Sequence, residues 1–178
     1  MKQDRFMALA ERTRAYIKQY DPAFVTEYMV AHCLDEGERI VEQAELLMDQ
    51  TFIFEDRWDM EPCSTPYTLK EMVWDQSPNM DPEWVFMLNR HEYLHKLLLA
   101  FRLTGKGKYI EKLMWYMDHW IAGNPILPEG SLTTRSIDTG IRCMSWQFLL
   151  VHLIGEGLMG QSQAEKILDS LSSQYLYM

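Results

Sequence analysis

The stretch from Asp81 to Trp146 constrains the fold more tightly than any other part of the chain. Asp81-Pro82-Glu83 supplies an N-cap acceptor, a proline at the first helical position and an acid in the first turn, which together start a helix. Gly105 and Gly107 stop it, Tyr109 opens a second, and Gly123-Asn124-Pro125 closes that one. Apolar residues recur at helical spacing through both, as in Met87, Leu94, Leu97 and Phe101, then Ile110, Leu113, Met117 and Trp120. The spacing predicts two long helices, Asp81 to Gly105 and Tyr109 to Gly123, folded back on each other as a helix-turn-helix hairpin. A third, Ile137 to Leu153, is apolar nearly all round, with Ile137, Ile141, Met144, Phe148 and Val151 on one face and Trp146, Leu149, Leu150 and Leu153 on others. Such a helix is expected to be buried on most sides.

Helical patterns fill most of the remaining sequence. Gln3 to Gln19 is amphipathic, Phe24 to Leu34 continues after Asp21-Pro22, and Gly37 is expected to end or kink that segment before Glu38 to Asp49 resumes. Between Thr51 and Asn79 the character changes. Phe52-Ile53-Phe54 has strand-like composition, and Pro62, Pro66 and Pro78 break any long helix. Asn124 to Ser136 reads as a loop of about a dozen residues, a length commonly tied to function. Ser162 is expected to cap a last helix running to about Tyr175. The class is all-α, one domain over 1–178. Its divisions are N-terminal helices over 1–50, an irregular loop with a short extended piece over 51–80, and the main helices over 81–178.

The formal net charge of −9 is concentrated. Asp35 to Pro62 holds ten acids against Arg39 and Arg57, so the rest of the chain is nearly neutral. With no basic stripe to displace counterions from phosphates, nucleic acid is excluded as a partner. A local arginine cluster remains compatible with an anionic ligand. The three cysteines, Cys33, Cys63 and Cys143, are odd in number and unspaced for metal, which predicts reduced thiols. No apolar run approaches a membrane span, and the charged N-terminus MKQDRFMALAERTRAY is unlike a secretory signal. These features predict a cytoplasmic, soluble chain with no membrane partner.

In order and spacing, several short pieces resemble the N-terminal helical domain of the heparinase II/III family of polysaccharide lyases. They are Asn89-Arg90-His91 with Leu94, Thr104-Gly105, Tyr109, Trp120-Ile121 before Asn124-Pro125, then Ile137-Asp138, Gly140-Ile141-Arg142 and Trp146. The resemblance implies part of an (α/α) toroid built of antiparallel helix hairpins. It also implies β-elimination on a uronic-acid polysaccharide, in which the sugar carboxylate is neutralised while a base removes the adjacent proton. Members of the family are often exported. The family's neutralising asparagine, catalytic tyrosine and further histidine have no counterpart in these residues, so the chain is expected to be a lyase's N-terminal part, inactive alone. A stand-alone helical module for glycan or protein binding is the alternative.

No catalytic residue, cofactor or metal is therefore assigned. The substrate-binding candidates are Asn89, Arg90, His91, Arg135, Arg142 and Trp146, with an anionic polysaccharide as partner. An arginine fork can hold a carboxylate or sulfate through two parallel hydrogen bonds. Asp138 and Arg142, four apart, are expected to pair on one helix face. Trp58 and Trp74 serve either as sugar-stacking platforms or as plugs tying the loop to the core. His91-Glu92-Tyr93-Leu94-His95 matches the zincin signature, whose two histidines share one face of a helix. That motif needs a third ligand, and His119, His152 and the carboxylates stand at no diagnostic spacing; structural histidines are the competing reading. The Ile137 helix and the last helix, with Leu168, Leu171, Tyr175 and Leu176, are expected to present apolar surface and to support a two-fold homodimer.

Overall fold

The computed structural model describes residues 3–55, 62–127 and 129–178, and Trp58 lies outside them. In chain order the elements are α1 (Gln3–Tyr20), α2 (Pro22–His32), α3 (Leu34–Met48), β1 (Thr51–Phe54), β2 (Cys63–Thr68), α4 (Pro82–Arg90), α5 (Leu94–Thr104), α6 (Lys108–Gly123), a 3-10 turn (Leu132–Thr134), α7 (Ser136–Gly155) and α8 (Gln161–Tyr177). The class is all-α, as the helical periodicities require. No helix among the described residues is long and apolar enough to cross a membrane.

Several boundaries differ from expectation. The second segment breaks at Cys33, where the backbone leaves the helical region at φ −133°, and Gly37 sits inside α3 without interrupting it. β2, running through Pro66, was not expected; it pairs antiparallel with β1 in the register Thr51 to Thr68 and Phe52 to Tyr67, with a shift before Phe54. Proline is tolerated there because a two-stranded sheet is all edge. α8 starts at Gln161 with Gly160 before it, so Ser162 lies inside the helix and does not cap it.

The largest difference is in the central pattern. Asp81 caps α4 as predicted, accepting the Glu83 amide at 2.9 Å with Pro82 in the first turn. The helix then ends at Arg90, because His91 is left-handed (φ 62°), and α5 begins at Leu94. A non-glycine residue in this region costs roughly 1–3 kcal/mol, so its surroundings must hold it there. The single long helix is thus two, with the Asn89-Arg90-His91 motif at the corner.

Packing follows from the apolar stripes. α5 lies on α3 and α6, α4 lies on α7, and α1 and α8 also pack on α7. Phe52 sits near the middle of the aromatic core, 5.2 to 6.3 Å from the rings of Phe54, Trp84, Tyr93 and Tyr116, mostly edge-on. Gly155 lets α1 approach α7 closely: a Cβ there would stand 2.7 Å from the Ile17 side chain and 2.9 Å from the Thr13 carbonyl oxygen.

α7 is expected to be buried on most sides, and one of its apolar faces is instead exposed. Ile137, Met144 and Phe148 face outward, Met144 at 70% exposure, while Asp138, Thr139, Arg142, Ser145 and Trp146 are buried. Trp146, Leu149, Leu150 and Leu153 are buried as such a helix requires, and the first half of the helix also turns a polar face inward.

Candidate functional site

Arg142 stands at the centre of a polar region enclosed by α4, α7, α8 and the loop before α7. It is fully buried, and its guanidinium carbon lies 3.9 Å from the Trp120 ring centroid. Its Nε donates to Gln174 Oε1 (2.8 Å), Nη1 to the carbonyl oxygens of Asn89 (2.7 Å) and Thr133 (3.0 Å), and Nη2 to Thr139 Oγ1 (3.2 Å). No carboxylate is among these partners. Burial lowers its pKa to about 9, still above neutrality, so the interior holds a positive charge solvated by dipoles and a π face.

The expected Asp138–Arg142 pair does not form. Asp138 Oδ1 accepts from Arg90 Nε (2.7 Å) and Oδ2 from Arg135 Nε (2.5 Å), so one buried carboxylate is shared by two other arginines. Arg142 instead points toward the end of α4 and toward α8. Arg135 is partly exposed, its guanidinium 3.5 Å over the Phe86 ring, and Asp138 holds its pKa above the usual arginine value.

Asn89 satisfies its whole amide inside: Nδ2 donates to the carbonyl oxygens of Trp74 (2.7 Å) and Val85 (2.8 Å), and Oδ1 accepts from Trp120 Nε1 (2.8 Å). Trp146 Nε1 donates to His91 Nδ1 at 3.0 Å, which leaves the ring proton of a neutral His91 on Nε2. The imidazole is boxed by Trp74, Tyr93, Trp120 and Trp146 at 5.1 to 5.9 Å. Burial, with the Arg142 charge adding to it, drives its pKa well below the usual histidine value.

The break at His91 also disposes of the zincin geometry. His91 and His95 do not share a helix face: His91 turns into the aromatic box, while His95 Nε2 bonds Ser145 Oγ (2.9 Å), whose proton goes to the His91 carbonyl (3.0 Å). No group of three or more His, Cys, Asp or Glu side chains able to hold a metal occurs among the described residues. The three cysteines are free thiols.

Of the six sequence candidates, Asn89, Arg90, His91, Arg142 and Trp146 come together in this network and are buried; Arg135 joins them at the surface. Trp74 is a plug, buried with its Nε1 on His119 Nδ1 (3.0 Å). Sequence reasoning missed Thr133, Thr139, Ser145 and Gln174. For three of the buried polar groups a signal existed: Asp138, Arg142 and Ser145 recur at helical spacing in an otherwise apolar helix. Nothing in the sequence marks Gln174.

Two hollows adjoin the network, and a third lies apart from it. One of about 340 Å³ lies over Arg90, between the α4–α5 corner and α7. Another of about 410 Å³ is lined by Trp74, His119, Asn124 and Thr133. An apolar groove of about 890 Å³ runs between α1, α7 and α8, and Leu171, expected at an interface, is instead in the core beneath it.

Fold and site together define an all-α domain whose polar interior concentrates guanidinium charge behind a corner of two helices. A family model for the heparinase II/III N-terminus matches residues 4–154, and the chain belongs to that family. A heparin-sulfate lyase of Bacteroides thetaiotaomicron is 28% identical over 92 residues, covering 49% of this chain and 13% of the relative. The chain thus corresponds to a small fraction of that protein's length. No solved structure matches the chain.

Proposed function

We propose that this domain is the polysaccharide-gripping helical part of a heparinase II/III-like lyase, part of an (α/α) toroid, acting on uronic-acid polysaccharides cleaved by β-elimination. The observation that carries this is the charge count of the polar interior. Among the described residues, Arg90, Arg135 and Arg142 have Asp138 as the one carboxylate among their hydrogen-bond partners. A buried surplus of positive charge is costly unless it is solvated or answered by an anion, and it raises the local potential for anionic ligands. The family membership and the lyase relative supply the class of ligand.

In this reading Arg90 and Arg135 act on the ligand. Asn89, His91, Arg142 and Trp146 hold the corner that positions them. No residue of the chain is assigned to proton abstraction, so binding without turnover is expected. The test is retention on immobilised heparan sulfate, together with ultraviolet absorbance of unsaturated uronate products. Retention that weakens with salt and is unaccompanied by absorbance is the expected result. Elution at the lowest salt removes the proposal, and product formation removes its binding-only part.

The apolar groove favours a second role, as a protein-interaction face. Its rim carries Met144, Phe148, Tyr175 and Leu176, the last at 86% exposure. Self-association through α7 and α8 would be seen by light scattering and lost in Leu176→Glu; a monomer at high concentration rules it out.

A further inference from the structure

Among the described residues, α2 is the one α-helix that buries none of its side chains. The Asp21 side chain accepts the Phe24 amide at 3.2 Å and Pro22 sets the first turn, so the helix starts from local chemistry. Only Pro22, Thr26 and Met29 are half-buried, with Met29 resting on the core. A surface helix ordinarily turns its polar side to water. α2 turns an apolar one: Phe24 is 63% exposed, Tyr28 53% and Val30 52%. Phe24, Tyr28 and Ala31 stand at i, i+4 and i+7 and form one outward stripe. The rings of Phe24, Tyr28 and His32 follow one another along it at 6.4 and 4.6 Å.

Charge and area narrow what can cover this stripe. Residues 21–38 hold five acids, Asp21, Glu27, Asp35, Glu36 and Glu38, and no lysine or arginine. Glu27 lies on the side of the stripe, three positions from Phe24, and the others stand at the two ends of α2. Glu36 is engaged with Arg39. Glu27, Asp35 and Glu38 are exposed and make no ion pair among the described residues. A second copy set face to face would bring these acids together, and an anionic lipid surface or polysaccharide would be repelled. The two aromatic rings, a little over half exposed, offer roughly 200–300 Å². With Val25 and Val30 beside them the patch is a few hundred Å², well short of the ~800 Å² per partner that a stable interface between domains buries.

We propose that the outer face of α2 docks one cationic amphipathic helix of a partner protein. The partner lays its apolar stripe on Phe24, Tyr28 and Ala31, the helix-on-helix contact that such spacing fits. Its lysines and arginines reach Glu27 on one side and Asp35 and Glu38 beyond the end of α2. At about 1.5 Å per residue α2 is three turns long, which matches a short helix better than a whole domain. The rings carry the affinity, while the acids select a basic partner and speed its approach. This face is acidic and makes no use of Arg90 or Arg135, so the inference does not rest on the polysaccharide role.

The test follows fluorescence anisotropy of a labelled synthetic Leu/Lys peptide whose leucines form one helical stripe. Two controls accompany it: the same residues in an order that scatters the leucines, and the striped helix with Glu for Lys. The striped Leu/Lys helix is expected to bind and both controls to fail. Phe24→Ser and Tyr28→Ser should each weaken binding about tenfold or more, as for an aromatic at the centre of an interface. Glu27→Lys should weaken it severalfold, whereas Glu111→Lys, the same charge change on the exposed side of α6, should leave it in place. Circular dichroism checks that the serine variants fold, and Glu27→Lys decides the matter if they do not. Equal binding of the scattered peptide, or equal weakening by Glu111→Lys, reduces the effect to net charge and overturns the proposal. So does absence of peptide binding, whether the stripe then mediates self-association seen by light scattering or adsorption to phosphatidylcholine vesicles. Retention on heparan sulfate should be the same in the parent and in Phe24→Ser; a loss there would place the polysaccharide on α2 and overturn the docking site.

Discussion

The aromatic core around Phe52 and the polar interior around Arg142 are both closed to solvent, yet they are specified in different ways. The first is held by area and edge-to-face ring contacts among Phe52, Trp84, Tyr93 and Tyr116. Many side chains of similar volume satisfy such a region, because burial is non-directional. The second is held by directed bonds: Asp138 is shared by two arginines, and Arg142 meets four oxygen acceptors. There, removing one partner strands the others. The lesson is that equal burial does not mean equal tolerance to change.

The sharpest way to break the contrast is Asp138→Asn. It leaves Arg90 and Arg135 without their carboxylate, and breaking a buried pair in this way costs about 3–5 kcal/mol. Replacing Arg90 by Met and Asp138 by Leu together should recover a large part of that loss, since the expensive element is the uncompensated charge. Urea unfolding of the singles and the double measures both quantities. A loss under 1 kcal/mol for Asp138→Asn would place the polar interior on the same footing as the aromatic one.

Next in size is a pH effect at their border. The folded His91 pKa is depressed, chiefly by burial, so below the unfolded value of about 6.5 the unfolded chain binds a proton that the folded chain refuses. The stability tied to His91 is therefore complete above that pH and falls by about 1.4 kcal/mol per unit below it, until the folded pKa is reached. Thermal midpoints measured from pH 7.5 down to pH 5 should drop in the parent and drop less in His91→Gln. Parallel curves would show that other groups carry the acid sensitivity.

Smaller still is Leu97→Met in the apolar core, where Leu97 is fully buried. A volume-conserving exchange of this kind costs under about 1.5 kcal/mol. The smallest effect is expected for Lys166→Ala, which removes a half-exposed ion pair with Asp118 worth about 0–1 kcal/mol. Both are read from the same urea transitions, and a Leu97→Met loss matching that of Asp138→Asn would erase the distinction between the two interiors.

What the sequence made legible divides along the same line. Helix existence, the Asp81 cap and the all-α class were readable because apolar spacing and capping chemistry are local. The corner at His91 was not, because nothing in Asn89-Arg90-His91-Glu92 forbids a continuous helix. What bends it is distant: the Trp146 indole on the imidazole and the Ser145 hydroxyl on the His91 carbonyl. The exposed apolar face of α7 was illegible for a related reason. Hydrophobicity alone ranks Ile137, Met144 and Phe148 as interior, whereas the hydrogen bonds of Asp138, Arg142 and Ser145 decide which side turns in. The candidate residues lie together in the fold, and their mutual pairing is set by tertiary geometry that no local spacing encodes.

The bonds of Arg142 also carry a consequence for the order of folding. Its partners lie 53 positions back at Asn89, nine back at Thr133 and 32 ahead at Gln174. Apart from the Thr139 bond within α7, the full set closes only when α4, the preceding loop and α8 have each reached α7, and distant contacts require their loop entropy to be spent first. Until that moment the guanidinium is better off in water. Arg142 is thus placed to act as a late latch: its contribution falls mainly on the unfolding rate, and it lengthens the life of the finished domain more than it hastens its assembly.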